Sequence, residues 1–302
     1  MTEPPFRSGF VCIVGRPNVG KSTLLNQLVG HPVSITTPKP QTTRNRILGV
    51  RHGAGYQAVL LDTPGIHQAA DLLNTRMVAY AVAAFREADL VLAMVEPFPE
   101  RFEEPGPQDR MVLDMVQGSR TPALLLVNKI DLAPESRVLA TIQWYGDWGR
   151  FTEVVPLSAL KGRGIDTLDR LIPANLPVGP AYFEPDQITD QPEATLVAEL
   201  VRQSVFRRTG QEIPYSVAVR VEHMAEKKGL LTVHAKLYVE RDSQKGILIG
   251  KKGRTLSAIG TAARLRIESL LGVRVFLDLH VAVLKNWSAD PRYLTRLGYP
   301  DR

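Results

Sequence analysis

Gly15-Arg16-Pro17-Asn18-Val19-Gly20-Lys21-Ser22-Thr23 stands between an apolar run at 10–14 and an amphipathic run at 24–29. Strand, glycine-rich loop and helix in that order make a phosphate-binding P-loop. Backbone N–H groups of such a loop, with the positive end of the helix, surround a polyphosphate. Lys21 then brings a point charge to the β- and γ-phosphates, and the Ser22 hydroxyl is placed to ligate Mg²⁺. Around this stretch the chain runs to 302 residues, enough for two domains, and its 44% apolar content supports a sizeable core. No apolar run approaches the ~20 residues of a membrane span, and Met1-Thr2-Glu3-Pro4-Pro5 lacks the pattern of a signal peptide. The one cysteine, Cys12, falls inside the first apolar run. No intrachain disulfide is possible, which fits a reducing cytoplasm.

Downstream of the P-loop, apolar runs alternate with amphipathic segments, the pattern of a parallel α/β sheet. Runs at 47–50 and 56–61 flank His52-Gly53-Ala54-Gly55, a hairpin with a glycine turn. The spacing predicts a helix over 74–87, strands over 90–95, 123–127 and 154–156, and a helix over 165–172. The acidic, proline-rich stretch 97–107 reads as a surface loop. Prolines at 173, 177, 180, 185 and 192 stiffen the chain and stop helices, so 176–192 is read as a linker between a domain at 1–175 and one at 193–302. The second domain opens on a helical pattern, continues through two strands of strict alternation, and closes with a helix over 256–271 and a strand at 273–283. That is an α-β-β-loop-α-β order, an α+β domain with one sheet face covered by helices.

Charge separates the halves. Residues 1–175 hold 18 Lys/Arg against 17 Asp/Glu, whereas 200–274 hold 15 against 6. Such a basic block suits the phosphates of a nucleic acid or an anionic membrane.

Two further boxes in the first domain follow strands. Asp62-Thr63-Pro64-Gly65-Ile66 begins with a carboxylate that reaches Mg²⁺, and Gly65 offers a backbone N–H to a γ-phosphate. Asn128-Lys129-Ile130-Asp131 ends in a carboxylate able to accept from the N1–H and 2-amino group of guanine, a donor pair adenine lacks. Asn128 and Lys129 tie this base loop to the P-loop, with the Lys129 stem over the base plane. Ser158-Ala159-Leu160 follows another strand and offers N–H groups to the guanine carbonyl. In the second domain, Ile249-Gly250-Lys251-Lys252-Gly253-Arg254 is a G-x-x-G loop opening a helix. Two glycines around two lysines admit a sugar-phosphate backbone, as in KH domains that clamp about four nucleotides. Lys245, Lys251, Lys252 and Arg254 are the expected phosphate contacts, with Ile249 beside the bases. Arg264 and Arg266 stay open between RNA contact and solvated helix. Trp287, Tyr293 and Tyr299 have the chemistry to stack on bases, and are expected instead to pack the C-terminus.

These boxes, with Gln41-Thr42-Thr43-Arg44, resemble the Era family of bacterial GTPases, in the TrmE-Era-EngA-YihA-Septin-like superfamily, over nearly the whole chain. The resemblance implies an α/β P-loop GTPase domain, its mostly parallel sheet covered by helices on both faces, followed by a smaller α+β type II KH domain. It implies that 32–46 and the Asp62 region are switches, and that Thr43, or Thr42, completes the Mg²⁺ shell of Ser22 and Asp62. Lys21, Thr43 and Gly65 are then the catalytic set. The implied ligands are GTP and GDP with Mg²⁺. The implied partner is the 3′ end of 16S rRNA in assembly of the 30S small ribosomal subunit, bound by a monomeric cytoplasmic chain; the basic block leaves peripheral attachment to the inner membrane open, since charge does not distinguish lipid from RNA phosphate. Ile66 occupies the place of the water-orienting glutamine of Ras-type GTPases, so slow hydrolysis is expected from electrostatics, with Asn18 helping to hold K⁺. Arg44 and Arg46 are rival sources of charge. An RNA-binding adaptor with little hydrolysis and a P-loop phosphotransferase acting on a small molecule are the competing functions.

Overall fold

A computed structural model describes residues 5–69, 71–100 and 104–301. Residues 1–4 of the N-terminal stretch and 101–103 of the acidic loop therefore lie outside the described residues. The chain divides into two compact units: 1–34, 43–69 and 77–190 form the first, and 35–42, 70–76 and 191–302 the second.

The first unit carries a six-stranded sheet of order β2-β3-β1-β4-β5-β6. Its strands are β1 (Arg7–Gly15), β2 (Ile47–Gly53), β3 (Tyr56–Asp62), β4 (Leu90–Val95), β5 (Ala123–Val127) and β6 (Glu153–Pro156). Only the β2–β3 pair is antiparallel, because a short turn at Ala54-Gly55 joins them directly. Helices α1 (Lys21–Val29), α2 (Leu72–Glu87), α3 (Pro107–Gln117) and α4 (Glu135–Asp147) connect successive strands, and α5 (Ile165–Ala174) follows the last of them, β6. Strand residues alternate between two cores. Val11 and Ile13 pack with Leu24, Leu25 and Leu28 of α1 and with Leu168 and Ile172 of α5. Cys12 and Val14 pack with Ala81 and Ala84 of α2, Val112 and Val116 of α3 and Tyr145 of α4. Each fully buried leucine of α1 contributes about 2 kcal/mol as an upper estimate. Burial pushes the Cys12 thiol far up, so it is an inert hydrophobe.

Helices α3 and α4 lie outside the elements that the spacing predicts. Helix α3 starts on Pro107, which ends the acidic loop and occupies the first helical position, where a missing N–H costs nothing. Residues 176–190 belong to the first unit and run over its surface rather than free of it. The Gln57 amide donates to the Phe183 carbonyl and accepts from the N–H groups of Tyr182 and Phe183. Val50 N–H donates to Ile188 O at 2.9 Å, and the Thr189 hydroxyl to Leu48 O at 2.6 Å.

The second unit has a three-stranded sheet, β7 (Ala218–Lys227), β8 (Leu230–Val239) and β9 (Arg274–Val283), with β8 in the centre, antiparallel to β7 and parallel to β9. Helices α6 (Glu193–Arg208), α7 (Ile213–Ser216), α8 (Asp242–Ile249), α9 (Arg254–Leu271) and α10 (Pro291–Arg296) complete it. Val197, Val201 and Val205 of α6 and Ile259, Ala263 and Ile267 of α9 pack on Val233, Ala235 and Leu237 of β8. Two details differ from the sequence-based order. Ile247-Leu248-Ile249 ends a helix, α8, where the α-β-β-loop-α-β order has only a loop, its backbone closing through Gly250 N–H to Gly246 O at 2.8 Å. Ile35–Thr42 belongs to this unit: Ile35 joins its core, Gln203 donates to Thr36 O at 2.8 Å, and Arg202 donates to Thr42 O. Trp287 is fully buried, donates to Ser216 O at 3.0 Å and stacks on Tyr299.

Candidate functional site

The P-loop and the strand-end boxes all sit at the carboxyl ends of parallel strands, where the sheet order reverses about β1, the place at which open α/β sheets bind ligands. After β1 the loop turns through Asn18 at φ 64° and Gly20 at φ 114° before α1 begins. Glycine is required at 20 on two counts, since a Cβ there would lie 2.3 Å from the Asn128 amide nitrogen. No side chain caps α1, so its first-turn N–H groups point into the loop. Lys21 is buried within this curl and donates to Gly15 O and Arg16 O, both at 3.0 Å. Burial pushes its ammonium down to about 8, against the attraction of Asp62.

Asp62, at the end of β3, is fully buried. Its Oδ2 accepts from Ser22 at 2.6 Å, from Ser34 at 2.9 Å and from Thr43 at 3.4 Å, while Oδ1 has no hydrogen-bond partner. Ser22 Oγ and Thr43 Oγ1 are 2.9 Å apart. Burial raises the Asp62 carboxyl, and Lys21 with the three hydroxyls opposes the rise. Three hydroxyls, a carboxylate and an unpartnered buried oxygen are a hard, oxygen-only donor set that suits Mg²⁺. Thr42 points elsewhere: its hydroxyl lies 2.6 Å from Thr37 Oγ1 and donates to Lys39 O at 2.8 Å.

In the second box Thr63 donates to Ile13 O at 2.9 Å, and Ile66 N–H donates to Gly15 O at 3.1 Å. Gly65 lies against the P-loop, where a Cβ would come within 2.6 Å of Pro17 N. Ile66 is buried among Val14 and its neighbours, so its side chain is packing rather than chemistry.

Asn128 joins three loops. It donates to Val19 O at 2.7 Å and accepts from Ala159 N–H at 2.9 Å. Lys129 takes φ 64° and sends its ammonium to Glu96 at 2.6 Å. Asp131 is accessible, and the Ser158 hydroxyl, helped by Lys161 and Arg163, holds its carboxyl low. Ser158 and Ala159 are buried beneath it, whereas Leu160 is exposed. Arg46 pairs with Glu87 at 2.6 Å, and Arg44 is buried. Sequence reasoning missed Ser34, which reaches Asp62, and Glu96, which contacts two loops. The signal for Glu96 was its place directly after the strand between those of the P-loop and the base loop.

In the second unit, Gly250 (φ 72°), Lys252 (φ 53°) and Gly253 (φ 76°) make a tight reversal between α8 and α9. A Cβ at Gly250 would lie 2.2 Å from Thr255 Oγ1, whereas Gly253 faces open space. Lys251, Lys252 and Arg254 are exposed, and Lys245 and Ile249 are half-buried on α8. From Gly253 a groove of about 520 Å³ runs between α9 and β9, lined by Leu256, Gly260, Arg264, Phe276 and Leu279 among others. Phe276, 54% exposed, is the aromatic surface that sequence reasoning did not single out. Arg264 lies on this groove, and Arg266 instead donates to Ala262 O at 2.9 Å.

A P-loop with its metal-type oxygen cluster and base-loop asparagine, followed by a basic G-x-x-G unit, defines a GTPase joined to a KH domain. Family models agree: residues 10–129 match a 50S ribosome-binding GTPase and residues 212–288 a KH domain. The GTPase Era of Geobacter metallireducens is 51% identical over 301 residues, 99% of this chain and 100% of that protein. The GTPase Era of Mycobacterium sp. (strain JLS) is 45% identical over 97% of this chain and 99% of that protein. The chain belongs to the Era family of GTPases. Two crystal structures superpose with a TM-score of 0.92 at 38% identity, each covering 98% of this chain and all of the other: an Aquifex aeolicus Era variant bound to GDP and AlF₄⁻, and an Era in complex with MgGDPNP and nucleotides 1506–1542 of 16S ribosomal RNA.

Proposed function

We propose that this GTPase is a Mg²⁺-dependent switch that binds single-stranded RNA at the 3′ end of 16S rRNA during small-subunit assembly. The carrying observation is Asp62, whose Oδ2 gathers Ser22, Ser34 and Thr43 while Oδ1 stays unpartnered. Ser22, Asp62 and Thr43 would hold Mg²⁺, which neutralises charge on the β- and γ-phosphates and orients them. Lys21 and the backbone N–H groups of the loop at 15–23, which Pro17 lacks, bind the phosphates, and the Gly65 N–H faces the γ-phosphate. Asn128, Lys129, Asp131 and the Ser158-Ala159-Leu160 loop hold guanine. Ile66 offers no base, so hydrolysis rests on fixed charges and dipoles. Asn18 adds a ligand for K⁺, and equal turnover in potassium and sodium buffers would remove that part.

RNA binding is supported by the left-handed Gly250–Lys252–Gly253 reversal, the exposed lysines beside it and the groove bearing Phe276. It is supported too by the relative that holds nucleotides 1506–1542 of 16S rRNA. We take 1–175 as the nucleotide domain and 193–302 as the RNA domain, with 176–192 between them. Because Ile35–Thr42 is bonded within the second unit and Thr43 belongs to the metal cluster, γ-phosphate binding at Thr43 would pull on the α6 contacts, coupling GTP to RNA. No helix among the described residues is long and apolar enough to cross a membrane. A cytoplasmic monomer, attached to the inner membrane through the basic second domain, is the accompanying reading.

The deciding experiment is RNA crosslinking in cells with Gly253→Asp as control, beside competition of GTP against ATP. Crosslinks at the 3′ end of 16S rRNA, lost in the variant, are expected. Crosslinks mapping outside ribosomal RNA would falsify the assembly reading.

A further inference from the structure

Strand β4 lies between β1 and β5 in the sheet, and the three end together: Gly15 pairs with Met94, and Val95 with Val127. The residue following β4 therefore falls between the P-loop, which follows β1, and the base loop, which follows β5. That residue is Glu96. Its Oε2 stands 2.8 Å from Arg16 Nη2, and its Oε1 stands 2.6 Å from Lys129 Nζ. One carboxylate thus meets one cation from each nucleotide loop. Arg16 also faces Asp109 in the first turn of α3, at 3.5 Å from Nε, so two cations balance two carboxylates.

The bridge matters because Lys129 is held in the left-handed region at φ 64°, which costs a non-glycine residue about 1–2 kcal/mol. Its ammonium is drawn to Glu96, which fixes the path of the stem over which a guanine plane would lie. At Arg16 the same carboxylate fixes the first turn of the loop whose N–H groups meet the phosphates. Asn128, the residue directly before Lys129, joins the same two loops by donating to Val19 O.

We propose that Glu96 is a positioning residue that clamps Arg16 to Lys129, and so sets the affinity for guanine nucleotide rather than the rate of hydrolysis. The contacts are partly exposed, with side-chain accessibilities of 28% for Arg16, 34% for Lys129 and 24% for Glu96. Discounted for solvent, such a bridge corresponds to about a three- to tenfold change in affinity.

The test is Glu96→Gln, which keeps the shape and removes the charge. Dissociation constants and off-rates for GDP and for a non-hydrolysable GTP analogue are measured by fluorescence, alongside kcat at saturating GTP. The expected result is a three- to tenfold weaker affinity for both ligands, carried by faster dissociation, with kcat within twofold. Arg16→Gln breaks the same bridge from the other side; Arg16 lies within the phosphate loop, so for this variant affinity alone is read, and Glu96→Asp, which keeps the charge and shortens the reach, serves for kcat if Glu96→Gln does not fold. The double variant is expected to bind no worse than the weaker single variant. Unchanged affinity, a fall in kcat at unchanged affinity, or additive losses in the double variant would each overturn the clamp.

Discussion

Gly20→Ala puts the joint between P-loop and base loop under a measurable load. Its first cost is conformational: alanine at φ 114° is strained by about 1–2 kcal/mol. Its second is steric, because the new methyl would lie 2.3 Å from the Asn128 amide nitrogen. That amide must shift, and it bonds Val19 O at 2.7 Å and Ala159 N–H at 2.9 Å. Leaving those buried partners unpaired costs about 1–3 kcal/mol each. Together Gly20→Ala is expected to destabilise the first unit by about 3–8 kcal/mol, lowering its melting transition by about 10–20 °C for a unit of this size. Asn128→Ala removes the same bonds directly and is expected to cost about 2–4 kcal/mol. In the double variant the Asn128 bonds are lost only once, so the combined cost falls short of the sum by about 2 kcal/mol. The assay is calorimetry of wild type, both single variants and the double variant, followed at the transition of the first unit. Strict additivity would refute the reasoning, because the methyl would then not be meeting Asn128.

Thr43→Val removes the hydroxyl 2.9 Å from Ser22, and is expected to lower Mg²⁺-dependent GTP turnover by ~10²-fold, while Thr42→Val changes it by less than ~threefold. Turnover in saturating Mg²⁺ separates the two. Lys21, pushed down to about 8, binds fewer protons folded than unfolded between there and its usual 10.5, so the nucleotide-free protein gains stability as pH rises across that window. Phosphate needs the ammonium form, so GDP affinity is expected to fall by up to about tenfold per pH unit above 8; a dissociation constant flat from pH 7 to 9.5 would contradict this. Phe276→Ala, on the open groove, is expected to weaken binding of a single-stranded RNA oligonucleotide by about tenfold, as loss of one stacked base does, with GTP turnover unchanged.

The P-loop and the strand-end boxes were legible because each is a contiguous run whose chemistry depends on backbone and neighbouring side chains. Thr43 against Thr42 was not, since adjacent residues share composition and only the turn of the chain aims one hydroxyl at Asp62. Helix α4 is hard to read from sequence although Val138, Thr141 and Tyr145 are its buried positions, because Thr141 breaks their apolar signal and Leu139, exposed off that face, blurs it. Helix α8 was masked by Ile247-Leu248-Ile249, a short apolar run that fits strand or helix equally. Phe276 alternates with the buried Val275 in β9, so a period-two pattern places it on the outer face without saying that a groove lies there.

Strand β2 is the last strand on one side of the larger sheet, and a last strand offers unpaired N–H and C=O groups to any other chain. The run at 176–190 occupies that position, taking the Val50 N–H through Ile188 O and the Leu48 carbonyl through the Thr189 hydroxyl. Its prolines bring no N–H of their own, so this covering segment cannot itself become a new pairing edge at those residues. A segment that composition marks as a spacer thus also guards the sheet against self-association. Shortening it would therefore expose β2 to aggregation.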